Sequence, residues 1–145
     1  MRISVQQDAF DAGAEVQSFG RARTDMGAIV TFSGLVRADN ELTRLEIEHY
    51  PEMTDRAIRA IAIEAQERWS LGDVLVIHRY GSLEPGEAIM MVATAAAHRK
   101  DAFEAAEYLM DYLKSRAPFW KREIRPDGAQ WVGAKDADEA ALKRW

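Results

Sequence analysis

The sequence predicts an α+β fold, in which a largely antiparallel sheet carries packed helices. Three observations predict it. Short runs rich in β-branched and apolar residues, one alternating strictly in-out, read as strands. Two longer segments place apolar residues three and four apart, the spacing of one helix face. The strand runs also come in adjacent pairs joined by turn residues, and do not alternate one by one with helices.

Residues 2–6 read as a short strand and 8–19 as a helix weakened by Gly13. AIVTFSGLV, 28–36, reads as a buried strand. TRLEIEHY, 43–50, sets Leu45, Ile47 and His49 against Glu46, Glu48 and Tyr50, the pattern of a half-exposed strand. Pro51 suits a helix entrance, and Ile58, Ile61, Ala62 and Ala65 then share a face until Gly72 stops the helix. VLVIHRY, 74–80, and EAIMMVATA, 87–95, are strands joined by the turn-rich GSLEPG. The next helix, about 100–117, buries Phe103, Ala106, Met110 and Leu113. Pro118 ends it by disfavouring helical geometry at Ala117. FWKREI and AQWVG pair around the turn PDG, and a short helix at 136–143 closes the chain.

At 145 residues, with no repeat, low-complexity tract or linker, the chain reads as one domain spanning 1–145. A net charge of -5 excludes general nucleic-acid binding, so an anionic ligand needs a local basic patch. The absence of cysteine excludes a cysteine nucleophile, a persulfide carrier and a thiolate metal site, and fits a cytoplasmic setting. The start, MRISVQQDAF, has no apolar core of signal-peptide length. The longest apolar run, AIMMVATAAA, is 10 residues, against the roughly 20 of a membrane helix.

The positive charge is concentrated. Residues 114–125 carry five basic side chains and one acidic one, interleaved with Phe119 and Trp120. Lys114 and Arg116 admit an ordinary reading as helix-end cations. Lys121, between aromatics in a strand, suits a desolvated amine fit for proton transfer, although core packing alone also accounts for Phe119 and Trp120. His98 and Arg99 stand where a strand meets a helix N-terminus, which is either an anion site or a solvated cluster. Arg37 ends a strand. His49, His78 and His98 lack metal-ligand spacing, and the first two read as structural. No glycine-rich phosphate loop and no nucleophile elbow is present. The residues alone leave open a transferase for a small phosphorylated metabolite and a non-catalytic module that binds one.

VTFSGLVR, LEIEHYPEMT, VIHRYGSLEPGE, AAAHRKDAFEAAEYLMDYLKSRAPFWKRE and the terminal KRW together resemble the large, catalytic subunit of molybdopterin synthase, in order over residues 28–145. The resemblance implies an α/β hammerhead-type fold and a sulfurtransferase of molybdenum-cofactor biosynthesis. Such an enzyme converts cyclic pyranopterin monophosphate to molybdopterin. Its sulfur comes from the C-terminal glycine thiocarboxylate of a small ubiquitin-like partner, and two large subunits form the homodimer core of a heterotetramer. It also implies Lys114 and Lys121 as catalytic, and Arg37, His98, Arg99, Arg122 and Lys135 as substrate contacts, with some reaching the pocket across the dimer. The scheme calls for no metal and no further cofactor.

Overall fold

The computed structural model describes residues 1–133 and 135–145. Its elements are β1 (Arg2–Gln6), α1 (Ala12–Ser18), β2 (Ala28–Leu35), β3 (Arg44–His49), α2 (Pro51–Arg68), β4 (Asp73–Arg79), β5 (Gly81–Leu83), β6 (Ala88–Ala96), α3 (Arg99–Arg116), β7 (Phe119–Arg125), β8 (Gly128–Trp131) and α4 (Asp136–Ala141). A single 3-10 turn, Leu142–Arg144, follows α4.

The strands form two four-stranded sheets, ordered β1-β4-β6-β2 and β5-β3-β7-β8. Every pairing is antiparallel except β1 against β4. The α+β reading holds. Several local expectations change. The strand read as buried, β2, is an edge strand that leaves Ile29, Phe32 and Leu35 exposed, and Phe103, expected on the buried face of the next helix, points to solvent. The first helix starts at Ala12, where the Asp11 carboxylate caps the Ala14 amide at 3.0 Å. The GSLEPG connection also contributes β5, a three-residue strand on the edge of β3.

The first sheet is covered on both faces, which is why β4 and most of β6 are buried along their length. On one face α2 and α3 pack Ile58, Ala62, Ala102, Ala105 and Leu109 against Val74, Val76 and Val92. On the other, Phe19, Phe10 and Met26 cover Leu75, Ile77, Met91 and Ala93. Each fully buried aliphatic side chain here contributes roughly 1.5–3 kcal/mol. A smaller cluster of Val36, Leu45, Ile47 and Leu83, with Tyr80 and Phe119 against it, joins the second sheet to the first.

The apolar stripe of α3 runs Ala102, Ala105, Ala106, Leu109 and Leu113. At its end Ala117 takes an extended conformation (φ -78°, ψ 131°), as a residue before proline must. The chain leaves the last turn of α3 through this corner and enters β7 at once. That geometry sets the last helical turn beside the first half of β7.

Candidate functional site

Lys121 lies on the inner face of β7. It pairs with Ile47 across β3, while Phe119, two residues earlier on the same face, pairs with His49. The His78 ring stacks on Phe119 at 3.7 Å, and His49 lies 4.5 Å from the Tyr80 ring and 5.9 Å from Phe119. The Nδ1–H of buried His78 donates to the Arg79 carbonyl at 2.8 Å. His49 Nδ1 meets the Thr54 hydroxyl at 3.3 Å. Lys121 therefore rises from a shelf of aromatic and imidazole rings.

Burial pushes the Lys121 ammonium below the ordinary lysine value. The charge of Lys114 pushes it the same way, Asp138 opposes, and Lys135 adds a smaller like-charge push. Burial holds His78 neutral, with its pKa lowered to about 3, and the charge of Lys121 adds to this. Burial likewise lowers His49. Both imidazoles are thus uncharged neighbours of a lysine whose pKa is lowered.

The structure brings together three of the seven expected residues. Lys114 stands in the last turn of α3, Lys121 in β7, and Lys135 at the N-cap of α4. Among the described residues no ion pair involves any of them. Arg122 neighbours Lys121 in sequence but points from the opposite face of β7. There it is paired with Glu46 and lies 5.4 Å over the Trp131 ring. Arg37, 82 % exposed, pairs with Asp39 at 3.3 Å.

His98 and Arg99 are exposed at the N-terminus of α3, where His98 is the N-cap. Lys114 is fifteen residues further along the same helix, about 22 Å at 1.5 Å per residue. Arg37 follows β2 beyond Leu35, which pairs with Ala88 at the start of β6, whereas His98 lies just past its end. About 27 Å of strand separates those two positions. Within one chain the seven residues thus occupy separate places, with the ammonium cluster as the densest. Two open surface depressions, one lined by Asn40, Arg125 and Gly128 and one by Pro51, Asp55 and Arg59, include none of the seven.

Residues 5–116 match the family described as MoaE protein. The chain belongs to the MoaE family. Over 146 residues it is 64% identical to the molybdopterin synthase catalytic subunit of Cereibacter sphaeroides, covering 100% of both chains. It is 53% identical to the subunit of the same name from Mesorhizobium japonicum, covering 99% of this chain and 92% of that one. Among solved structures it is similar to the molybdopterin biosynthesis MoaE protein of Burkholderia ambifaria, with TM-score 0.85 and 49% identity over 99% of this chain and 96% of the other.

Several residues beside the ammonium cluster were given no functional role from the sequence. His49 and His78 read as structural, and they are; their rings also form the floor beside Lys121. Asp138 was missed, because a carboxylate in a short terminal helix has no sequence signature of its own. Its helical spacing from the C-terminal tryptophan was the available signal. Chemically, the cluster offers fixed positive charge for a phosphorylated or oxyanionic group and one amine suited to exchanging a proton. Among the described residues no helix is long and apolar enough to cross a membrane.

Proposed function

We propose that this chain, acting as one domain over residues 1–145, is the catalytic subunit of a molybdopterin synthase in the cytoplasm. The observation that carries the reading is the convergence of Lys114 and Lys135, which have no ion-pair partner among the described residues, on half-buried Lys121 in a chain of the MoaE family. The substrate is cyclic pyranopterin monophosphate. A chain without cysteine holds no transferable sulfur on a thiol of its own, so a partner must deliver it. That partner is a small ubiquitin-like subunit whose C-terminal glycine carries a thiocarboxylate.

In this reading the thiocarboxylate sulfur attacks a carbon of the pterin side chain. Lys114 meets the partner's C-terminus and the developing negative charge. Lys121 moves the proton as oxygen leaves and sulfur enters. Water then cleaves the acyl–sulfur bond so formed, which leaves the sulfur on the pterin and releases the spent partner as a carboxylate, and a second thiocarboxylate supplies the other sulfur in the same way. His98, Arg99 and Arg37 serve the phosphate. The 22 Å of helix between Arg99 and Lys114 supports a pocket completed by a second copy of the chain. Exposed Ile29, Phe32 and Leu35 on β2, an edge strand, support the same homodimer core. Arg122 and Lys135 are further anion contacts. Arg122 serves only where substrate or the second chain competes for it with Glu46.

The test is reconstitution. The chain is mixed with thiocarboxylated small subunit and the cyclic pterin, and dithiolene product is measured. Product is expected only when all three are present. Product formed without the small subunit overturns the sulfur-donor assignment, and no product from the complete mixture overturns the enzyme.

A further inference from the structure

Arg37 follows the end of β2 with its side chain 82 % exposed, and among the described residues its one ion pair is to Asp39 at 3.3 Å. A long side chain so exposed turns through many rotamers unless its surroundings hold it. Asp39 is itself held from the far side, where its other carboxylate oxygen meets Arg125 of β7 at 3.7 Å. The carboxylate thus stands between two guanidinium groups, one loose and one fixed.

Arg125 is the fixed one, with its side chain 18 % exposed. Its Nε–H donates to the Asn40 carbonyl at 3.0 Å, and its Nη1 group donates to Glu123 at 2.5 Å. Nη2 faces Asp39, so the planar fork serves three partners at once. The bond to Asn40 falls where the loop turns through two successive left-handed residues, Asn40 at φ 47° and Glu41 at φ 60°. Residues other than glycine keep that conformation only where the surrounding structure fixes it. The Thr43 amide donates to the Ile124 carbonyl at 2.8 Å and closes the loop onto the same strand.

The period of β7 gives this tie its direction. Phe119, Lys121, Glu123 and Arg125 alternate with Trp120, Arg122 and Ile124, so Arg125 emerges on the face of Lys121. About 13 Å of strand separates the two. We propose that Arg125 is a positioning residue for Arg37: acting through Asp39, it holds the loop and its guanidinium at the Lys121 face of β7. The proposal rests on the reading of Arg37 as a phosphate contact. A phosphate arriving there meets a guanidinium already ordered, so less freedom is lost on binding. When the phosphate displaces Asp39 from Arg37, Arg125 keeps that carboxylate paired.

The test uses the intact chain and the reconstituted enzyme. In Arg125→Gln, hydrogen exchange of the Asp39 and Leu42 amides, which donate to the Arg37 and Asp39 carbonyls at 3.1 and 2.9 Å, speeds severalfold. The Val36 amide, bonded to the Glu87 carbonyl at 2.9 Å, exchanges as before. KM for the cyclic pterin rises severalfold with little change in kcat, and Asp39→Asn has the same effect. In an Arg37→Ala background Arg125→Gln adds nothing to KM, since the two residues act in series. Arg59→Gln, which removes a surface arginine of α2, leaves loop exchange and KM in place. If Arg125→Gln unfolds, Asp39→Asn, at a half-exposed loop position, decides. Unchanged loop exchange in Arg125→Gln overturns the proposal, as does full additivity in the double variant. A lower KM in Asp39→Asn also overturns it, because Asp39 would then be a competitor of the phosphate. If the wild type makes no product, the sulfur-transfer reading falls and loop exchange alone decides the role of Arg125. Normal product with KM unmoved in Arg125→Gln overturns only that role.

Discussion

The His78 imidazole lies flat on the Phe119 ring, with centroids 3.7 Å and planes 15° apart. Phe119 and Lys121 share the inner face of β7, so this stack forms the floor beneath the amine. The floor offers no charge and admits little water. An ammonium there loses hydration without gaining a strong counter-ion, which is the condition that makes a lysine proton labile.

Replacing either lysine tests the chemistry directly. Lys121→Ala is expected to fold and to lose roughly 10²–10⁴-fold in turnover, the usual worth of a positioned proton-transfer group. Lys121→Arg does not restore it, because a guanidinium keeps its proton. Lys114→Ala loses turnover as well. The assay is dithiolene formation in the reconstituted enzyme. Retention of full activity in both alanine variants would sink the assignment of the pair.

Lys121 also carries a stability cost. Its folded pKa lies below the unfolded value near 10.5. Below the folded pKa both states hold the proton and the cost is complete. As pH rises between the two values the folded chain releases its proton first, and stability climbs. Lys121→Met should therefore melt higher than the wild type at neutral pH, by roughly 2–4 °C for each kcal/mol relieved at this chain length. The gain should shrink as pH approaches the unfolded value. A lower melting temperature at pH 7 would mean that the amine is well solvated in the folded chain.

Much of the fold was legible because pattern and position agreed. TRLEIEHY alternates, and β3 buries Leu45 and Ile47 while keeping Glu46 and Glu48 toward the other face. Pro118 marked the end of α3 to within one residue. The short strand β5 escaped notice because its three residues form a strand only by pairing with β3, a tertiary event absent from a turn-rich local sequence. The lysine pair was visible as charge placed among aromatics. The division of the candidates was not: Lys121 and Arg122 are adjacent letters, yet the two-residue period of a strand sends them to opposite faces. Likewise, His98 and Lys114 fall within one quoted segment, but the rise of the helix between them sets them far apart.

His78 should shape the acid limb of stability. Its folded pKa is about 3 against an ordinary 6.5. Between those values the unfolded chain binds a proton that the native chain refuses, so stability falls as pH drops through the window. The slope approaches one proton, about 1.4 kcal/mol per pH unit. His78→Gln removes that proton and should flatten the limb by the same amount in urea denaturation between pH 4 and 7. An unaltered slope would show that His78 is protonated in the native state.

Gly27 tests the placement of the His98–Arg99 corner. Its amide donates to the Ala96 carbonyl at 3.0 Å, and a Cβ built there would stand 2.5 Å from the Ala97 carbonyl oxygen. That oxygen is backbone, so it cannot swing aside as the end of a side chain does. Gly27→Ala must move the strand end, and Ala97 directly precedes the N-cap of α3. A cost of about 1–3 kcal/mol is expected from such overpacking. In the reconstituted enzyme KM for the pterin should rise more than kcat falls, since the displaced groups are the proposed phosphate contacts and the amine lies elsewhere. Gly86→Ala provides the comparison. There φ is +91° and nothing stands within 4 Å of the added carbon, so the substitution strains the backbone without a clash. It should lower the melting temperature and leave KM unchanged. Equal effects of the two variants on KM would separate His98 and Arg99 from substrate binding.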